Sequence, residues 1–163
     1  MRKHRIKSYC KINVPTCTNW FQYKENCLKI IFWSNNPRDT TSVVKQFRSS
    51  IATQVIEMSG LSDLEGSLDG AFPNIRKLEL YKTNATSFHV DFTQWKNLVM
   101  LAITHAPQLK SAHESIGDNS LRLLRIELAP KLKLERLDLP NVISLRLSNV
   151  GIPKEVKLPL VYV

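Results

Sequence analysis

Side chains that could carry acid–base, nucleophilic or phosphate-binding chemistry are few and dispersed in this 163-residue sequence. No histidine has a repeated spacing to a carboxylate or a thiol that would form a catalytic dyad. The four histidines are His4, His89, His105 and His113. The five glycines are spread along the chain as turn residues and form no phosphate-binding loop. The sequence therefore predicts a protein that is not an enzyme and that needs no cofactor.

The three cysteines, Cys10, Cys17 and Cys27, are the remaining candidates for metal binding or redox chemistry. Their number is odd and their spacing is neither CxxC nor followed by HxxxH, which disfavours a structural zinc site. We interpret them as free thiols, which are typical of a reducing compartment. Lys7 and Lys11 interrupt the apolar stretch that a signal peptide would need, and no run of about 18 apolar residues predicts a membrane span. We expect an intracellular protein, cytoplasmic or nuclear.

The charge balance is strongly basic, with 23 Lys and Arg against 14 Asp and Glu and a net charge of +9. Such an excess favours acidic partners or nucleic acid without identifying either. Five of the basic residues lie among the first 11 residues, and residues 1–8 are interpreted as a basic tail. Nucleic-acid binding is therefore the second hypothesis, through the basic N-terminus together with Arg122, Arg125, Arg136 and Arg146.

A repeated apolar pattern, LxxLxL, predicts the elements that position these side chains. Four copies are plain, and their first residues are 23, 23 and 21 positions apart: residues 75–80 (IRKLEL), 98–103 (LVMLAI), 121–126 (LRLLRI) and 142–147 (VISLRL). Three weaker copies precede them, at residues 53–58, 28–33 and 9–14. Side chains alternate along a strand, so the fourth and sixth residues of each copy point to one side and join a common core when the repeats stack.

The register around residues 129–140 is ambiguous, because residues 134–139 (LERLDL) form an additional LxxLxL only 13 positions after Leu121. Two alternatives stay open. The segment is either a strand on the convex side of the stack or a sign that the register there is wrong.

The repeats resemble those of the leucine-rich-repeat superfamily, from about residue 9 to residue 156. The segments 72–80 (FPNIRKLEL), 106–109 (APQL) and 129–132 (APKL) are similar to the irregular repeats of intracellular plant immune receptors and F-box-type adaptors. The resemblance implies an arc-shaped scaffold that recognises proteins. Two features depart from the family: the ninth repeat position carries no continuous ladder of Asn or Cys, and no cysteine-rich cap flanks the repeats.

The predicted fold class is α/β: a leucine-rich-repeat solenoid of about seven repeats over residues 9–163. It has a curved parallel sheet on the concave side and irregular loops with short helices on the convex side. Residues 40–51 are the best helix candidate. Residues 88–95 are a second, with Phe88, Phe92 and Trp95 as core side chains. Residues 157–163 (KLPLVYV) are apolar for a terminal edge, which leaves open missing flanking repeats, a covering partner or self-association.

Function is predicted to lie on the concave sheet face, formed by the third, fifth and seventh residues of each copy. An apolar stripe with a tyrosine and two arginines on this face indicates a contact area for a protein partner. The predicted partner-binding residues are Phe32, Val55, Glu57, Lys77, Glu79, Tyr81, Met100, Leu123, Arg125 and Arg146. The sequence thus favours a non-catalytic protein-interaction module.

Overall fold

The chain folds into a parallel β-solenoid in a computed structural model that describes residues 10–13, 28–33, 51–60, 72–88, 95–112, 115–116 and 120–159. The strands are β1 (Cys10–Asn13), β2 (Lys29–Trp33), β3 (Val55–Ser59), β4 (Lys77–Tyr81), β5 (Ser87–Phe88), β6 (Met100–Thr104), β7 (Ser111–Ala112), β8 (Ser115–Ile116), β9 (Leu123–Ala129), β10 (Arg136–Asp138), β11 (Ser144–Val150) and β12 (Glu155–Lys157). A seven-stranded parallel sheet has the order β1-β2-β3-β4-β6-β9-β11. The predicted repeat architecture is therefore present.

The main sheet confirms the repeat register from the third copy to the seventh. Ile56, Leu78, Leu101, Leu124 and Leu145, the fourth residues of those copies, are aligned across consecutive strands. The sixth residues form the next aligned column on the same side, and the first four members of each column are almost completely buried. Strand alternation leaves the residues between these columns on the outer side, which we call the sheet face.

The first two copies depart from the predicted register. Ile30, rather than Ile31, is aligned with Ile56, and Phe32 is aligned with Met58. In β1, Ile12 is aligned with Phe32, two residues from the predicted position. A slip of one residue turns every side chain of a strand to the opposite side of the sheet. The prediction that Phe32 lies on the partner-binding face is therefore wrong, because its side chain is fully buried in the core.

Short strands form a second layer across the core from the main sheet. β12, β10 and β8 make a three-stranded parallel sheet, and β5 pairs with β7. This resolves the ambiguity at residues 134–139, because β10 belongs to the second layer while the main-sheet register on both sides of it is as predicted. Leu134, Leu137 and Leu139 are buried and face the same core cluster as the main sheet. The convex-strand alternative was thus the right one.

Helices predicted for the convex side are not found in the described segments, where short strands and turns occur instead. No helix in these segments is long and apolar enough to cross a membrane. Of the helix candidate 40–51, all but Ile51 lies outside the described residues, and Ile51 itself is in a turn. In the second candidate, residues 89–94 also lie outside. Phe88 and Trp95 are buried, so their assignment to the core is confirmed.

Tight turns precede the main strands. Side chains within these turns, and not a ladder at the ninth repeat position, form hydrogen bonds to the backbone of neighbouring turns. Pro73 and Pro140 occupy the second position of their turns, where proline's restricted φ is favourable. In the first of these turns, the Ile75 N–H donates to the Phe72 carbonyl at 3.0 Å. The residue that ends each turn before the repeat starts is Asn74, Asn97, Ser120 or Asn141. The Asn74 Nδ2 donates to the Ile51 carbonyl at 2.9 Å, and the Ser120 hydroxyl donates to the Leu98 carbonyl at 2.8 Å. These bonds satisfy carbonyl groups of the preceding turn in a chain that has no continuous ladder at the ninth position.

A column of left-handed residues lies at or near the end of each main strand from β3 onward. The residue after the seventh repeat position has a positive φ in five successive copies: Gly60, Lys82, His105, Leu128 and Asn149, between 49° and 75°. Gly60, Lys82 and His105 are the first residues after β3, β4 and β6, whereas Leu128 and Asn149 lie one residue before the ends of β9 and β11. Four of the five side chains are not glycine, and each bears a steric cost of roughly 1–2 kcal/mol that the stacked strands on either side must offset.

Candidate recognition surface on the sheet face

Nine of the ten predicted partner-binding residues lie on the sheet face, all except Phe32. The third-position column contributes half-buried Val55, Lys77, Met100 and Leu123. The fifth-position column contributes half-buried Glu57 and Glu79 and exposed Arg125 and Arg146, and Tyr81 is exposed in the seventh. The structure therefore brings these nine side chains together on consecutive strands of one rigid sheet.

A depression of about 280 Å³ lies in the middle of this face. Its floor is formed by Ala102, which is only 4% exposed and whose neighbours in the fifth-position column are Glu79 and Arg125. Because alanine has no side chain beyond Cβ, it leaves a gap between these longer residues. Tyr81 and Ile31 complete the apolar part of the wall. Ile31 was missed by the sequence analysis for the same one-residue slip that misplaced Phe32.

The aromatic side of the depression is held in place by two neighbours. The Tyr81 ring meets the His105 imidazole edge-on, with 5.3 Å between centroids and an interplanar angle of 75°. The Lys82 ammonium lies 5.1 Å from the centroid of the same ring, within the range of a cation–π contact. Tyr81 is nevertheless 42% exposed. It therefore presents an oriented aromatic surface to solvent, which is typical of residues that anchor an interface.

Carboxylates on the sheet face are paired with basic side chains. The Lys29 ammonium lies 2.6 Å from a Glu57 oxygen, and the Lys77 ammonium lies 3.1 Å from a Glu79 oxygen. Both pairs are partly exposed, so each contributes little to stability. These pairs leave the face with interleaved charges of both signs. Such a surface complements a partner that also carries both signs.

Glu127 is the centre of a three-residue ionic cluster that sequence reasoning did not single out. The Arg125 Nη2 donates to Glu127 Oε2 at 2.6 Å, and the Arg146 guanidinium of the next strand forms an ion pair with Oε1. The bond from Arg125 is the main cause that lowers the pKa of Glu127, and the pKa of Arg125 is raised by the same bond. Arg125 and Arg146 are directly aligned, so Glu127 offsets the repulsion of two like charges. The signal in the sequence was an acid at the seventh repeat position, Glu127, which lies two residues after Arg125 and one repeat before Arg146.

Arginines of the predicted nucleic-acid set do not form one surface. Arg125 and Arg146 share Glu127 on the sheet face, whereas Arg136 lies in the second layer with its Nη2 2.9 Å from an Asp138 oxygen. Arg122 lies at neither place but in the turn before β9, where its Nη1 donates to the Asn141 carbonyl at 2.9 Å. The set predicted from sequence is thus divided among three regions of the molecule.

Candidate catalytic and metal-binding side chains are sparse where the structure can be described. His105 is exposed beside Tyr81, and His4, His89 and His113 lie outside the described residues. For Cys10 only the backbone, in β1, is described, and Cys17 and Cys27 lie outside. Within the described residues, no group of three or more His, Cys, Asp or Glu could hold a metal ion.

Comparisons of the chain with protein-family models, curated proteins and solved structures found no match. The parallel β-solenoid is therefore established by the strand pairing, and the leucine-rich-repeat type stays a prediction from the sequence pattern.

Proposed function

We propose that this protein is a non-catalytic recognition scaffold that binds a segment of a partner protein on the sheet face. The observation that carries the proposal is the depression over Ala102, walled by exposed Tyr81 and by Arg125, in the centre of a seven-stranded sheet. The depression accepts one large side chain of the partner as an anchor. The assignment of the solenoid to the leucine-rich-repeat type is part of the same proposal, supported by the LxxLxL spacing and by its alignment across five parallel strands.

The size of the face supports a macromolecular partner. Seven strands about 4.8 Å apart span about 29 Å, which is enough for a helix or an extended peptide. The depression, at about 280 Å³, falls below the roughly 300–1,000 Å³ of pockets that enclose small ligands. A shallow anchor site on a wide open face is the arrangement that interfaces with proteins use, since a few central side chains supply most of the affinity.

The charges around the depression define the partner's chemistry. Glu57 and Glu79 lie on one side of Ala102, towards the N-terminal strands, and Arg125 lies on the other. The partner segment that fits best has an apolar or aromatic anchor, a basic residue towards the two glutamates and an acidic residue towards Arg125. Half-buried Val55, Met100 and Leu123 extend the apolar contact along the third-position column.

A selection of peptides from a random display library on the purified protein tests this proposal. Enriched peptides are expected to carry the anchor flanked by opposite charges, and their affinity is measured by fluorescence anisotropy. Ala102→Trp fills the depression and is expected to weaken binding at least about tenfold, since a central anchor contributes about 2 kcal/mol or more. Arg125→Gln removes one charged wall and is expected to have a smaller effect.

Arg136→Gln is the matched control, because Arg136 is paired with an acid two residues later, as Arg125 is, but lies in the second layer. Its peptide affinity is expected to equal that of the wild type. The proposal fails if no peptide family is enriched, or if Ala102→Trp binds the enriched peptides as tightly as the wild type while keeping its circular dichroism spectrum.

A further inference from the structure

A second surface runs along the turns that precede β3, β4, β6, β9 and β11, at residues 51–54, 73–76, 96–99, 120–122 and 140–143. We call this surface the turn edge. The described residues of these turns include three basic residues, Arg76, Lys96 and Arg122, and no acidic residue. The sheet face and the second layer differ from it, because basic side chains there are interleaved with carboxylates at ion-pair distance.

A groove of about 440 Å³ lies on the turn edge, and all three basic side chains line it. The rest of the lining is mostly neutral hydrogen-bonding groups, among them Gln54 and Asn97. Arg76, Lys96 and Arg122 are exposed, and none of them forms an ion pair with any residue that the structure describes. The groove therefore carries positive charge that nothing in the described part of the chain neutralises.

The repeat sets the spacing of these charges. Arg76 immediately precedes β4, and Arg122 immediately precedes β9 at the same repeat position. These two strands are two apart in the sheet. Two strand spacings place their backbones about 10 Å apart. Lys96 belongs to the intervening turn, before β6. The three cations thus form a row along the solenoid axis, one on each of three successive turns.

The guanidinium of Arg122 is oriented by its bond from Nη1 to the Asn141 carbonyl, which occupies one of the five N–H groups that an arginine offers. Asn74 and Ser120, whose side chains bond to the preceding turns, hold the backbone beneath the groove. These bonds tie the backbone beneath the groove to the neighbouring turns.

We propose that the turn edge binds the phosphate backbone of double-stranded nucleic acid, without reading base sequence, through Arg76, Lys96 and Arg122. Guanidinium, ammonium and side-chain amide groups are the donors that proteins direct at phosphate oxygens. Among the described residues, the lining contains no aromatic side chain on which unpaired bases would stack, which favours a duplex over a single strand. The same described lining contains only one apolar residue, Val99, which disfavours an acidic peptide that needs apolar contacts for affinity.

Fluorescence anisotropy with a labelled 20-base-pair DNA duplex of arbitrary sequence tests the proposal. Three phosphate contacts predict that affinity falls by about 40-fold between 50 and 200 mM salt, since each contact contributes about 0.9 to the logarithmic slope. Arg76→Glu with Arg122→Glu is expected to lower the affinity at 50 mM salt by at least about tenfold and to reduce the slope by about 2. An RNA duplex of the same sequence is expected to bind within about threefold of the DNA, because only backbone contacts are made.

The matched control is Lys110→Glu with Lys131→Glu, which lowers the net charge equally at two exposed positions outside the turn edge. Its affinity is expected to stay within about threefold of the wild type. If the control loses as much affinity as the turn-edge variant, net charge alone explains binding and the proposal is wrong. It is also wrong if the wild type fails to bind duplex at 50 mM salt, if polyglutamate competes as well as DNA, or if either duplex is preferred more than tenfold. Should the charge reversals unfold the protein, Arg76→Gln with Arg122→Gln replaces them, and unchanged affinity for that variant refutes the groove as the site.

Discussion

Gly151 is a position where the stacking of turns leaves no room for a side chain, and its replacement by alanine tests the solenoid packing directly. A Cβ atom built there would lie 2.6 Å from the Leu132 carbonyl oxygen, closer than real Cβ contacts. The atom it meets is backbone, so no side-chain rotation relieves the clash. The Gly151 N–H also donates to this oxygen at 3.3 Å, so the movement that admits the methyl group weakens that hydrogen bond.

The expected loss in the free energy of unfolding follows from these two contacts. Overpacking costs about 1–3 kcal/mol and the hydrogen bond contributes about 0.5–1.5 kcal/mol, while alanine recovers about 0.4–1 kcal/mol by restricting the unfolded chain. The net destabilisation is about 2 kcal/mol, which lowers Tm by about 4–8 °C in a chain of this length.

Urea unfolding followed by circular dichroism measures this difference in the Gly151→Ala variant. Ser148→Ala is the control, because it changes an exposed side chain of β11, the strand just before Gly151, and is expected to stay within about 0.5 kcal/mol of the wild type. A Gly151→Ala protein as stable as the wild type would refute the close approach between the turns after β9 and β11.

Three further predictions concern the core, the ionic cluster and the last strand. Leu101→Ala is expected to lower the free energy of unfolding, measured with urea, by about 2–5 kcal/mol, because Leu101 is fully buried in β6, an interior strand of the sheet. Glu127→Gln is expected to destabilise at neutral pH. The bond from Arg125 lowers the pKa of Glu127 in the folded state. The contribution of Glu127 to the free energy of unfolding is therefore present above the unfolded pKa near 4.5 and disappears as the pH falls through the folded pKa. A stability difference between wild type and variant that persists unchanged at pH 2 would contradict this. Ile143 and Ile152 are 84% and 93% exposed near the last strand of the described sheet, so replacing both with lysine is expected to reduce any self-association seen by analytical ultracentrifugation; equal sedimentation of an associating wild type and the variant would count against this edge as the contact.

The two proposed surfaces are formed by different positions of the same repeat. The sheet face displays the third, fifth and seventh positions of each repeat, and in the fifth-position column the small Ala102 lies between Glu79 and Arg125, which creates the depression. The turn edge displays residues that precede the strands, where Arg76 and Arg122 recur at one position. Substitutions at Ala102 and at Arg76 with Arg122 separate the two activities experimentally, because Ala102 lies on the sheet face within β6 whereas Arg76 and Arg122 lie in the turns before β4 and β9.

Much of the main sheet was predictable because its determinants are local and repeated. Two apolar residues separated by one position, recurring every 21 to 23 residues, bury only if the strands stack in parallel and in register. This reasoning succeeded for the five copies in which the residue between the two apolar positions is polar or small. It failed at residues 28–33, where Ile30, Ile31 and Phe32 are all apolar and the pattern itself does not say which two face inward. The neighbouring strand decides, since Ile30 and Phe32 are the residues that align with Ile56 and Met58.

The sequence by itself thus determined that the chain is a stack of parallel strands and which side chains share its open face, because alternation within a strand is a property of the backbone. Only the tertiary structure decided which of those side chains act together. The pairing of Glu127 with two arginines, the gap over Ala102 and the row of Arg76, Lys96 and Arg122 each bring together residues from different repeats, about 20 positions or more apart in the chain. Their proximity follows from the strand register, which is set by burial across neighbouring repeats and not by any single segment.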